Sequence, residues 1–192
     1  MLELSGSLIV ISLWLAVLIG DLRQRRVAIP VLLALLIVSL IGRPWPWWLI
    51  TGAMILLPRR WIVSLVPVGL GVGLLTNDLA VGLATALGIW AWVMKWWAGA
   101  DAIVLVALTL RAGWVGLVTG LVVVLVTAIV VFLKRQQSPA TLLLALNEAI
   151  RIQPRLETEV PAESELPAAA VLAVAGAALE VVRVVVNTGW IR

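Results

Sequence analysis

Asp21 and Asp101 are the two residues in this chain whose type and position could do chemistry. Asp21 closes the first apolar run, in Ile19-Gly20-Asp21-Leu22-Arg23-Gln24-Arg25-Arg26-Val27-Ala28-Ile29-Pro30, and Asp101 opens a later one, in Ala98-Gly99-Ala100-Asp101-Ala102-Ile103. An aspartate in the middle of a membrane helix costs on the order of 3 kcal/mol to insert, so carboxylates kept beside apolar spans usually serve a function. Two of them facing one cavity can share a water. The ionised partner takes a proton from the water, and the neutral partner donates a hydrogen bond to the carbonyl under attack. Like charges held close push the two titrations apart, so one acid and one base coexist, and the titration belongs to the pair. The chain contains no histidine, cysteine or tyrosine. A Ser-His-Asp triad, a cysteine nucleophile, a histidine zinc site and a thiolate metal site are therefore excluded, and no cofactor or metal is expected.

The elements that must position these acids are apolar helices. The sequence is 63% hydrophobic over 192 residues, against roughly 45–50% for soluble domains. This composition predicts a single all-α, polytopic membrane domain over 1–192 with about six to eight membrane helices. Apolar runs between charges place helices at about Leu4–Gly20, Ile29–Ile41, Trp45–Leu57, Trp61–Thr76, Leu79–Trp97, Asp101–Leu110, Gly113–Leu133 and Pro167–Val186. Several of these are shorter than the roughly 20 residues that cross a full bilayer. The pair at 45–57 and 61–76 either crosses twice or re-enters.

Charge gives the orientation. With the first helix running from outside to inside, alternate crossings leave Arg23, Arg25, Arg26, Arg59, Arg60, Lys95, Lys134, Arg135, Arg151 and Arg155 inside. That is ten of the fourteen basic residues. Cytosolic loops carry such an excess. Removing the 45–57 and 61–76 pair removes two crossings together, so Asp21 and Asp101 share one face on either reading. The net charge of +4 is explained by these loops and does not point to nucleic acid. The run Leu8–Gly20 lacks a preceding basic segment and is read as an uncleaved span. The Pro- and Glu-rich stretch at about 134–166 is read as a partly flexible cytosolic loop. Tryptophans at run ends (Trp45, Trp47, Trp48, Trp61, Trp96, Trp97) read as interfacial anchors. Asp78 reads as a cap in an external turn. Glu180 and Arg183 stand three apart and are expected to pair on one helix face.

The residues around the two aspartates resemble a known family. Asp21-Leu22-Arg23-Gln24-Arg25-Arg26-Val27-Ala28-Ile29-Pro30 is similar to the D-x-R-x-R…I-P signature that follows the first helix of type IV prepilin peptidases and archaeal preflagellin peptidases. Ala98-Gly99-Ala100-Asp101 resembles their short glycine-aspartate motif. Leu166-Pro167-Ala168-Ala169-Ala170, with Gly176 beyond, is similar to the proline-led start of their last helix. The resemblance implies a membrane aspartyl endopeptidase of the cell (inner) membrane that removes basic leader peptides from pilin-like precursors at the cytosolic face. Asp21 and Asp101 match the two catalytic positions. Gly99, Ala100, Arg23, Arg26 and Pro30 match the supporting motif, with Gly99 and Ala100 keeping the backbone slim beside the second acid. The cysteine-rich methyltransferase insert of the long form is missing, which implies cleavage without N-methylation.

Three positions depart from the family pattern. Ile103 stands where a lysine is common, Val31 where an asparagine is common, and Ala98 where a glycine is common. Two alternatives follow. One is a catalytically degenerate member acting as an assembly factor. The other is a small proton-coupled transporter using Asp21, Asp101 and Glu180 as proton sites.

Overall fold

A computed structural model of the chain describes residues 2–24, 27–93, 99–134 and 168–187, and among these residues there are helices and short connections but no strand. The helices are α1 (Leu2–Gln24), α2 (Ile29–Leu40), α3 (Trp45–Leu56), the single turn α4 (Arg59–Ile62), α5 (Leu65–Leu75), α6 (Leu79–Val93), α7 (Gly99–Lys134) and α8 (Ala168–Asn187). By length and composition alone, three of them are long and apolar enough to cross a membrane, over Gly6–Arg23, Gly99–Thr127 and Ala168–Asn187, although the second is folded back at Gly113. Large apolar side chains are exposed along most of the helices, among them Leu8, Ile19, Ile37, Leu56, Leu75, Val118, Leu125 and Val182. That surface suits a lipid surround. The loop expected at about 134–166 lies almost wholly outside the described residues, as do Arg25, Arg26 and Ala98.

Proline and glycine set most of the boundaries. Pro30 occupies the first turn of α2, where its missing N–H costs nothing. Gly42, at φ +80°, ends that helix. The apolar stretch expected as one run over 61–76 is divided, because α4 closes at Ile62 and α5 begins at Leu65 after Val63 and Ser64. Asn77, at φ +56°, terminates α5 in the left-handed conformation. The amide of Asp78 donates to the Gly73 carbonyl at 2.8 Å, and that of Asn77 to the Leu74 carbonyl at 3.4 Å. This is a Schellman closure with asparagine in place of glycine.

Gly113 interrupts α7 with φ +58° and ψ −134°, a conformation open essentially to glycine alone. The chain reverses there. A Cβ built on Gly116 would lie 2.5 Å from the Leu108 carbonyl oxygen, and one on Gly120 would lie 2.8 Å from the Leu105 side chain. Residues 99–112 and 114–134 are thus the two arms of a helical hairpin. The sequence break between Leu110 and Gly113 anticipates this division.

Helix α7 packs against α2, α6 and α8, and α1 covers the other side of α8. The small face of α8 (Ala168, Ala169, Ala170, Ala173, Ala175, Gly176) is buried. Gly176 receives the indole of Trp14, and a Cβ there would stand 2.5 Å from Trp14 Cε2. Similar close approaches join α5 to α6 at Gly69, Gly73 and Gly82, and α6 to α7 where Gly88 meets Ala102. Buried hydroxyls of Ser39, Thr51, Thr85 and Thr109 each donate to the carbonyl four residues back, so they sit in an apolar core without a lost hydrogen bond.

Candidate active site

Asp21 lies inside the last turn of α1, since the helix continues to Gln24. The apolar run ends at Gly20, but backbone helicity does not depend on side-chain polarity and persists one turn further. Asp21 is 7% exposed. Its Oδ2 accepts a 2.8 Å hydrogen bond from the backbone N–H of Ala170, in the first turn of α8. The amides at the start of a helix have no intrahelical acceptor, and a carboxylate is a favoured partner for them.

Asp101 is 5% exposed and stands in the first turn of α7. It is therefore within the helix rather than ahead of it as an N-cap. Two contacts and the residue spacing locate it relative to Asp21. Arg111 binds Glu180 across α7 and α8. Leu172 of α8, with Leu105 and Leu108, flanks Gly120. Asp101 precedes Arg111 by ten residues, and Ala170 precedes Glu180 by ten. The first arm of α7 therefore runs alongside α8 in the same direction, and Asp101 lies at the end of the bundle where Ala170 holds Asp21. Helix α1 runs opposite to α8, since Asp21 meets Ala170 and Trp14 meets Gly176.

The supporting motif residues divide. Gly99 is backed by Trp92, whose indole carbons would stand 3.1 and 3.2 Å from a Cβ there. The space that a glycine frees beside Asp101 is occupied by this ring from α6. Ala100 is partly buried, while Arg23 and Pro30 are exposed. Arg23 sits in the last turn of α1, where a cation complements the helix dipole. Arg26 lies outside the described residues. Val31 and Ile103 are packed partly buried against the core.

The opposite end of the bundle carries a separate set of charges. The Arg43 guanidinium binds Asp78 Oδ1 at 2.6 Å and donates from Nε to the Leu110 carbonyl at 2.9 Å, with a second bond from Nη2. The Gly113 break deprives Leu110 of its helical partner, and Arg43 fills the vacancy. The Asp78 carboxylate thus serves Arg43, while its main-chain carbonyl accepts from Val81 and Gly82. Glu180, 4% exposed, has Arg111 as its principal partner. The expected neighbour Arg183 is 3.9 Å away and half exposed.

Sequence reasoning had no means of finding two of these features. The Ala170 amide is a backbone donor and leaves no trace in residue type. Arg111 and Glu180 are 69 residues apart, with no periodicity to link them.

No protein-family model, curated protein or solved structure matches this chain.

Proposed function

We propose that this chain is a membrane aspartyl endopeptidase that cleaves basic leader peptides from pilin-like precursors, with a water activated between Asp21 and Asp101. The observation that carries the reading is the burial of two carboxylates, 80 residues apart in the sequence, at one end of the helix bundle. Acids buried in an apolar setting are expensive, and a hydrolytic pair gives both a use. One oxygen of Asp21 is engaged by the Ala170 amide, and its second oxygen is the one that would share the water with Asp101. The reaction adds water across the scissile amide. The attacking oxygen loses a proton to the ionised aspartate, and the leaving nitrogen gains one from the pair.

The proposed setting is the inner membrane, with the aspartate end cytosolic and six to eight helices crossing. Supporting it are the basic residues that the sequence concentrates on the Asp21 side and the antiparallel succession of the helices. The substrate class rests on the likeness of the Asp21 and Asp101 segments to prepilin peptidase motifs, and a basic leader would be drawn to a site containing two acids.

One observation favours a second reading. The Asp21–Ala170 bond gives Asp21 a structural use that needs no chemistry, as in a non-enzymatic assembly factor built on the same helices. The two readings separate on Asp→Asn exchange. Asparagine at 21 keeps an oxygen for the Ala170 amide and removes only the acid. In membranes co-expressing a pilin-like precursor, Asp21→Asn and Asp101→Asn should each reduce cleavage at least a thousandfold at unchanged protein levels. Cleavage that persists in either variant rules out the protease.

A further inference from the structure

We infer that the first turn of α8 is a working part of the site, and that the main-chain N–H of Ala170 is the group that orients Asp21 for attack. The inference rests on the aspartyl protease reading above and adds a positioning group that makes no contact with the scissile bond. The Ala170 amide is the third in α8 as described, so it belongs to the set left without an intrahelical acceptor. It donates at 2.8 Å to Asp21 Oδ2. Both partners are buried, Ala170 at 2% and Asp21 at 7% exposure. A bond between buried partners fixes the carboxylate plane and assigns its two oxygens different tasks: one faces the helix and the other faces the water.

The surroundings explain why a backbone group does this work. Ala168, Ala169 and Ala170 are all buried against their neighbours. A longer side chain at position 170 itself would hold that amide away from α1 and lengthen the bond. Packing of α8 against both α1 and α7 then makes it the bridge through which the two aspartates are registered. The Trp14–Gly176 contact, seven and six residues from the bonded pair, sets the height of α8 on α1. Arg111–Glu180 sets its height on α7.

The experiment removes the N–H. Ala170→Pro deletes that donor at a position where a first-turn proline is tolerated, and Ala168→Pro places the same ring in the same turn while deleting an amide that Asp21 does not use. With a pilin-like precursor peptide and purified protein in lipid nanodiscs, Ala170→Pro should lower kcat about a hundredfold with KM unchanged, as for a displaced catalytic group. Ala168→Pro should stay within a few fold of the parent. Lactate incorporated at position 170 replaces the N–H by an ester oxygen without adding a ring, and should reproduce the kcat loss even where the proline variant fails to accumulate. Unchanged kcat in the lactate protein, or an equal loss in both proline variants, overturns the positioning role while leaving the protease reading intact. Absence of cleavage by the parent protein overturns the protease reading, and the positioning role with it.

Discussion

At the scale of single residues, burial separates the acids from the cations that surround them in sequence. Asp21 and Asp101 are inside, whereas Arg23, two residues from the first of them, is exposed. This was legible in advance, because two aspartates beside apolar runs in a chain without histidine or cysteine have few other uses. The partners were only partly legible. Glu180 makes the expected i,i+3 ion pair with Arg183 at 3.9 Å, and it also binds Arg111 across helices, a closer partner 69 residues away that no sequence period signals. Gly176, singled out by motif, has a packing explanation in Trp14. Gly176→Ala should destabilise the protein by about 2 kcal/mol, because the buried indole cannot retreat. Gly52→Ala, with nothing within 4 Å of the new methyl, should instead stabilise by up to about 1 kcal/mol. Thermal unfolding in detergent distinguishes the two, and equal effects would remove the Trp14 explanation.

At the scale of elements, the glycine at 113 and the arginine at 43 work together. The hairpin at Gly113 cuts the helical ladder, and Arg43, arriving from the end of α2, bonds the freed Leu110 carbonyl and the Asp78 carboxylate. A local break is thereby repaired by a distant side chain. The sequence signals the break, through Arg111-Ala112-Gly113, but the repair depends on α2 being docked beside α7. Arg43→Ala should cost about 2–3 kcal/mol by leaving both acceptors underused. Arg43→Lys should recover only part of this, because an ammonium cannot present the planar fork that serves both. Denaturant titration of the three proteins, followed by tryptophan fluorescence, tests the ranking. Equal stability of all three would mean that water serves these acceptors as well as Arg43 does.

At the scale of the whole molecule, the bundle has one end with the aspartates and another with the Arg43, Asp78, Arg111 and Glu180 charges. The crossing count along the sequence puts Arg43, Asp78 and Arg111 on the face opposite Asp21 and Asp101, whereas Glu180, inside the last apolar run, carries no such signal. The span count is harder to read from the sequence, because α2, α3 and α5 have only 12, 12 and 11 residues, about 16–18 Å of helix each. The absence of native cysteine makes sidedness directly measurable. In right-side-out membrane vesicles, an impermeant maleimide should label Ile41→Cys at the charged end, and should label Leu22→Cys, beside Asp21, only after permeabilisation. Both positions are exposed, at 68% and 62%. Labelling of both from the same side would refute the proposed crossing pattern.

The register of the Gly113 hairpin bears on the proposed cleavage at the aspartates. Gly120 lies beside Leu105 and Leu108, so in this register Asp101 is level with about residue 125. The second arm continues nine residues further, to Lys134, a rise of roughly 13 Å. If Lys134 marks the water boundary, the scissile bond must descend that far along the arm. Extended chain covers about 3.3 Å per residue, so about four residues of substrate must straighten between the boundary and the cut. On the proposed function, a precursor still helical up to its cleavage point needs about nine residues to cover the same distance, and unwinding lets about four do so.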